Sequence, residues 1–188
     1  MQAQIIHNPF RLDRMSNIIH QALEQEFEYK LWQHVADANP IRGCHLAHRV
    51  IVQHAKDFNW PSVWIMEDDV MFTAKSAADR WLGLQPHGMD IYSAGNYGTH
   101  KYRKRGDKYD LPYSISGTHC YIVYQQFYDK FLNMDENEHL DIQISQTSER
   151  IVLPKLIYAL QQPGYSDILH QQVNYNNEKY LIHELFKG

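Results

Sequence analysis

Hydrophobic and polar positions alternate along this chain in blocks that predict strands and helices in turn. The clearest block is Val63-Trp64-Ile65-Met66-Glu67-Asp68-Asp69-Val70-Met71-Phe72, where four apolar residues run into three consecutive carboxylates and three apolar residues follow. A run that is apolar at every position suits a central strand covered on both faces by helices better than a half-exposed one. The acids then fall where that strand ends. In open α/β sheets the ligand crevice forms just there, beyond the carboxyl ends of the strands.

The remaining pattern fits around that strand. Ile5-Ile6 before Asn8-Pro9 predicts a short first strand closed by a turn. Ser16 is a suitable N-cap for a helix over 16–29, with Ile18, Ile19, Ala22, Leu23 and Phe27 on one face. Residues 30–41 are less periodic and predict a loop with at most a short strand. A second helix opens at Gly43-Cys44-His45 and runs to about Asp57 through Leu46, Val50, Val52 and Ala55. After the acids, a helix over 74–84 carries Ala77, Ala78, Trp81 and Leu82, and Asp90-Ile91-Tyr92-Ser93-Ala94-Gly95 is the next strand. A strand over 116–124, a helix over 126–132 and a short helix beginning at His139-Leu140-Asp141 come next. Late strands over 151–154 and 156–160 precede a polar loop over 161–168 and a polar tail from Leu169. The expected fold is one α/β domain with a mostly parallel central sheet flanked by helices.

Composition narrows the class. A chain of 188 residues, 44% hydrophobic, is large enough for one sizeable core. A net charge of -4 and a pI near 6.3 give no global footprint for nucleic acid. Cys44 and Cys120 are the only cysteines, too few for a disulfide framework or a closed cysteine zinc site. No signal-like N-terminus and no run near the roughly 18 apolar residues of a membrane span are present, so the expected location is cytoplasmic. Tyrosine and tryptophan are abundant, at 13 and 4, which suits sugar-binding or base-stacking surfaces and ordinary cores alike.

Candidate chemistry concentrates in a few places. Three adjacent carboxylates repel one another and resist desolvation, so Glu67, Asp68 and Asp69 call for a hard divalent cation such as Mn2+ or Mg2+, or else for a solvated turn. Arg11 and Arg14, after the first strand, are placed to clamp phosphate bidentately or are surface charges. His45 and His48 lie three apart and share a helix face, compatible with a metal pair or with structural histidines. Lys101-Tyr102-Arg103-Lys104-Arg105-Gly106-Asp107-Lys108-Tyr109 holds five positive charges against one negative. It is a solvated loop or an anion-binding one. Asp141 falls in the first turn of a helix, where the dipole stabilises its charge.

Taken together, the order of these features resembles glycosyltransferase family 25, which includes lipooligosaccharide galactosyltransferases and galactosyltransferase domains acting on collagen. The matching series is the strand before Arg11 and Arg14, Gly43-Cys44 with His48 four residues on, Glu67-Asp68-Asp69-Val70, Asp90-Ile91-Tyr92, the strand from Gly117 to Tyr124, Asp141, and Gln162 before Ser166-Asp167-Ile168. Ala47 departs from it, since the family usually has serine before the histidine.

The resemblance implies a GT-A-type, Rossmann-like fold and inverting transfer of a sugar from a nucleotide-sugar donor, UDP-hexose first, to a hydroxyl acceptor. Glu67, Asp68 and Asp69 then stand at the metal motif, with Asp69 and either Asp68 or Glu67 holding Mn2+ or Mg2+. Arg11, Arg14, Gly43, His48 and Asp68 are the donor-binding candidates. Asp141 is the candidate base and Asp167 its rival, with Ser166 and His170 on the same rim. Arg103, Lys104 and Arg105 suggest an anionic acceptor, a phosphorylated or acidic glycan or a hydroxylated base in nucleic acid. Two other classes remain open: a non-catalytic protein binding nucleotide sugar or glycan, and a metal-dependent phosphoryl-transfer enzyme or nuclease.

Overall fold

A computed structural model describes residues 1–97, 101–166, 168–174 and 184–188. The first strand, β1 (Ala3–His7), is buried along its whole length. Helix α1 (Leu12–Gln25) follows, four residues ahead of the start that Ser16 predicts. The Ser16 hydroxyl donates instead to the Asp13 carbonyl within the helix, at 2.9 Å, so it is an interior residue bonding back along its own turn. Ile19 and Leu23, expected on the apolar face, are 46% and 74% exposed. The glutamines Gln21 and Gln25 are buried in their place. Their side-chain oxygens accept from the backbone N–H groups of Phe72 at 2.9 Å and Ala78 at 3.1 Å, which locks α1 onto the elements after the acidic turn. Glu26, at a φ of 55°, ends the helix early enough for β2 (Tyr29–Gln33) to form, the short strand allowed for in the less periodic stretch over 30–41.

Helix α2 (Pro40–Asp57) begins three residues before Gly43. The Asn39 side chain caps it by accepting from Ile41 N–H at 3.1 Å, and Pro40 takes the first helical position, where no N–H is needed. Next comes β3 (Ser62–Glu67), then the turn at Asp68 and Asp69, then β4 (Val70–Phe72). The unbroken apolar run of β3 has the expected cause. Val63 and Ile65 face one core cluster with Ile51, Val52 and Ala55 of α2, while Trp64 and Met66 face a second with Ile18 of α1.

The rest of the chain comprises α3 (Ala77–Gly83), β5 (Ile91–Ser93), β6 (Tyr102–Arg105), β7 (Tyr109–Pro112), β8 (Cys120–Tyr124), α4 (Tyr128–Leu132), α5 (Leu140–Thr147), β9 (Ile151–Pro154), β10 (Leu156–Ile157), β11 (Ala159–Gln161), β12 (Gly164–Ser166), β13 (Gln171–Val173) and β14 (Glu184–Leu185). The central sheet has the order β2-β1-β3-β8-β5-β9-β7-β6. β1 is parallel to β2 and β3, and β5 is parallel to β9; β8 is antiparallel to both β3 and β5, and the β6–β7 hairpin is attached antiparallel to β9. Within that sheet only β8 and β7 therefore run against the common direction, and it is mostly parallel as expected. Helices α2, α4 and α5 cover one face, α1 and α3 the other.

Two late elements bear on the acidic turn and on the basic segment. β11 pairs antiparallel with β4 and sets Gln161 opposite Val70, returning this late segment to the acidic turn. The basic segment, expected as a loop, is an edge hairpin; β7 tucks Asp110 inward, where Lys155 meets it at 2.6 Å. No helix among the described residues is long and apolar enough to cross a membrane.

Candidate active site

The carboxylates at the end of β3 divide into three different environments. Asp68 is fully engaged by protein. Its Oδ1 accepts from Arg14 Nη1 at 2.7 Å, and its Oδ2 accepts from the Asn8 N–H at 3.0 Å and meets His7 Nδ1 at 3.0 Å. Asn17 donates to the carbonyls of Asp68 and Val70, at 3.2 and 2.9 Å, and so fixes the backbone of the turn. With both oxygens held, Asp68 ties the end of β1 and the start of α1 to the end of β3.

Asp69 is buried with one oxygen satisfied and one orphaned. Gln161 Nε2 donates to Oδ2 at 3.0 Å and Arg14 Nη2 stands 3.2 Å from the same atom, whereas Oδ1 has no partner among the described residues. Burial, reinforced by the nearby Glu67 charge, holds its carboxyl well above the ordinary range against the opposing pull of Arg14 and Gln161. A buried carboxylate oxygen without a donor is costly. A divalent cation would satisfy it, and these residues fit such an ion.

Glu67 faces the open side of the turn. Thr118 Oγ1 donates to its Oε1 at 2.8 Å, and His48 Nε2 stands 3.5 Å from the same oxygen. Burial would raise its carboxyl, but the hydrogen bond and charge of His48, with Thr118, pull it below the ordinary range. His48 is itself positioned through Nδ1, 2.8 Å from the Tyr121 hydroxyl. Burial pushes that phenol far above its usual range and keeps it neutral. One turn before His48 on α2, Cys44 lies close enough that its Sγ, a His48 nitrogen and a Glu67 oxygen fall within 4.8 Å of one another. Burial and then the charges of Glu67, Asp141 and Asp69 push the Cys44 thiol up.

A cleft runs over these groups in two joined halves. Asn8, Arg14, His34, His48, Asp69 and Tyr165 border one half. Tyr97, Gly117, Thr118, His139 and Asp141 border the other. Cys44, Glu67, Gln161, Ser166 and Ile168 border both, so Glu67 stands at the junction. Asp141 lies in the first turn of α5, its Oδ2 accepting from Gly117 N–H at 3.0 Å and its Oδ1 from Ile142 N–H at 2.9 Å. Gly117 has a φ of 91°, and a Cβ there would press on the rings of Tyr97 and His119 at 3.1 and 3.2 Å. Only glycine can present that N–H to Asp141.

Several expected positions differ from their sequence reading. Arg14 does not stand as a free phosphate fork, because its guanidinium bridges Asp68 and Asp69. Arg11 reaches Asp13 through Nε at 3.1 Å and Nη2 at 2.9 Å. Gly43 is packed rather than open, since a Cβ there would lie 2.6 Å from the Val35 carbonyl oxygen. His45 is wholly buried against the Phe131 ring and does not pair with His48. Arg103, Lys104 and Arg105 border neither half of the cleft. Arg103 donates to the Glu149 carbonyl at 2.9 Å and stacks on Tyr113, and Arg105 stacks on Tyr102. Ser166 borders the cleft, His170 is exposed with a φ of 52°, and Asp167 lies outside the described residues. His7, Thr118, Tyr121 and Gln161 escaped the sequence reading. No local spacing marks them, because each reaches the site only through strand pairing.

No family model and no curated protein matches this chain. Among solved structures, a glycosyltransferase involved in the glycosylation of the major capsid of PBCV-1 is similar, with a TM-score of 0.51 and 9% identity over 81% of this chain and 80% of that one. Mannose-1-phosphate geranyltransferase from Thermus thermophilus gives a TM-score of 0.49 at 8% identity over 81% of this chain and 72% of that one. HddC from Yersinia pseudotuberculosis, complexed with GMP-PN, gives 0.44 at 7% identity over 85% and 92%. The first of these likenesses shows a shared fold: the chain has the Rossmann-like α/β architecture of a solved glycosyltransferase.

Proposed function

We propose that this chain is a metal-dependent glycosyltransferase of the family 25 type, moving a hexose from a nucleotide-sugar donor, UDP-hexose first, to a hydroxyl acceptor with inversion. The observation that carries the reading is the orphaned, buried Oδ1 of Asp69 at the carboxyl end of β3, where the cleft begins. The shared fold with the capsid glycosyltransferase supports it.

In this reading Asp69, with Glu67 beside it, holds Mn2+ or Mg2+. Asp68 has both oxygens taken and acts as the brace that keeps Arg14 and the turn in place. The bound ion supplies Lewis-acid charge for the departing nucleoside diphosphate. Asn8, Arg14 and His48 line the half of the cleft that takes the donor, and Arg14 partly neutralises the acidic turn that the diphosphate must approach.

Inverting displacement needs a base on the opposite side of the sugar, within hydrogen-bond reach of the acceptor hydroxyl. Asp141 fills that role in the other half of the cleft. Gly117 N–H and Ile142 N–H fix its carboxylate, and each oxygen keeps lone-pair capacity to receive the acceptor's proton. Asp167 is the alternative base.

The acceptor is an anionic glycan or nucleic acid. β6 lies five places from β3 in the sheet, about 24 Å at the usual strand spacing. An acceptor that meets Arg103, Lys104 and Arg105 as well as the acidic turn at the end of β3 is therefore an extended polymer rather than a monosaccharide. A thermal-shift screen tests the reading: UDP-hexoses raise the melting temperature with Mn2+ present and not with chelator, and DNA cleavage with Mn2+ would favour the nuclease class instead.

A further inference from the structure

Cys44 and His48 are four residues apart on α2, so their side chains leave the helix on one side. Both reach Glu67 at the end of β3, and the three ligand atoms fall within 4.8 Å of one another. The separation of His48 Nε2 and Glu67 Oε1, 3.5 Å, is close to the roughly 3.3 Å that two ligands with bonds near 2.0 Å span at a tetrahedral ion.

Two of the three already have the outer partners that ligands require. The Tyr121 hydroxyl sits on His48 Nδ1 at 2.8 Å, which leaves Nε2 facing the trio, and Thr118 holds the Glu67 carboxylate at 2.8 Å. The donor set of one thiolate, one imidazole and one carboxylate suits Zn2+ and suits Mn2+ or Mg2+ poorly.

We propose that Cys44, His48 and Glu67 form a zinc site that shares Glu67 with the oxygen site at Asp69 and takes its other two ligands from α2. On binding, the Cys44 thiol releases its proton to solvent and a sulfur–metal bond forms; no oxidation state changes. The fourth position opens into the cleft, where water completes the tetrahedron. Because Glu67 borders both halves of the cleft, an ion held there stands between the donor half and Asp141. That makes the site suited to inhibition by zinc.

The test uses the full chain stripped of metal, titrated with Zn2+ and with Co2+ as a coloured substitute. One thiolate-bound equivalent of each is expected, seen for Co2+ as a thiolate-to-cobalt charge-transfer band, and Zn2+ should protect Cys44 of the unaltered protein from alkylation. Cys44→Ser should abolish the band, Tyr121→Phe should weaken Zn2+ binding about tenfold, and Asp69→Asn should leave both intact. No thiolate band, no protection from alkylation, or loss of the band in Asp69→Asn would overturn the proposal. None of these readouts involves sugar transfer, so the site stands or falls independently of the transferase reading.

Discussion

Arg14 Nη2 and Asp69 Oδ2 face each other 3.2 Å apart inside the acidic turn, while the second oxygen of Asp69 is buried without a donor among the described residues. Burial and the Glu67 charge hold this carboxyl above its ordinary value of 3.8. The folded chain therefore binds more protons at Asp69 than the unfolded chain does as pH rises past that value, and stability falls across the window. Glu67 has the opposite sign, but its lowered carboxyl acts below its ordinary 4.5. In chelator, the melting temperature of the wild type should thus decline more steeply than that of Asp69→Asn between about pH 5 and about pH 7. Parallel profiles for the two proteins would remove Asp69 as the source.

Removing Arg14 strands two buried carboxylates. Arg14→Met should destabilise the metal-free protein by about 3 kcal/mol, the usual scale for breaking a buried ion pair from one side. Urea denaturation measures it. Mn2+ should return part of the loss, since it replaces the missing positive charge; a variant equally unstable with and without Mn2+ would speak against a cation at this turn.

Asp141→Asn keeps the shape of the side chain at the start of α5 and removes its basicity. Donor affinity should stay unchanged while turnover drops at least about a hundredfold, the lower end of general-base contributions. Calorimetry with UDP-hexose and steady-state kinetics separate the two. Unaltered turnover would move the base to Asp167.

The basic edge strand gives a third kind of prediction. Neutralising Arg103, Lys104 and Arg105 together should weaken acceptor binding and flatten its salt dependence, with donor binding intact. Arg103 and Arg105 stack on Tyr113 and Tyr102 at the sheet edge, so their removal leaves the cleft untouched. A fall in donor affinity would assign them to the diphosphate; no change in either would make β6 a plain solvated edge.

Much of the frame was legible because period and burial agreed. The unbroken apolar run of β3 suited a doubly covered strand better than a half-exposed one, and it carries the acids to the carboxyl end of that strand as expected. Other readings failed for identifiable reasons. Ser16 has the chemistry of a cap, but its hydroxyl bonds back within α1, whose inner face is finished by glutamines that hydropathy counts as outward. The charged side chains of β6 disguised an edge strand as a loop. Within the site, sequence could nominate Glu67, Asp68 and Asp69 but not rank them. Their different roles come from His7, Asn8, Thr118 and Gln161, which lie tens of residues away in the chain and come to the turn because β1 and β8 pair with β3 and β11 pairs with β4.

The most direct measurement is Mn2+-dependent binding of UDP-hexose to Asp69→Asn, followed by calorimetry beside the wild type. The substitution hardly changes volume and removes one ligand charge from an all-oxygen site. The wild type should bind the donor with Mn2+ and lose that binding in chelator, while Asp69→Asn, folded by circular dichroism, should bind weakly and equally in both. Mn2+-dependent donor binding retained at wild-type strength in Asp69→Asn would contradict the assignment of the acidic turn as the metal site.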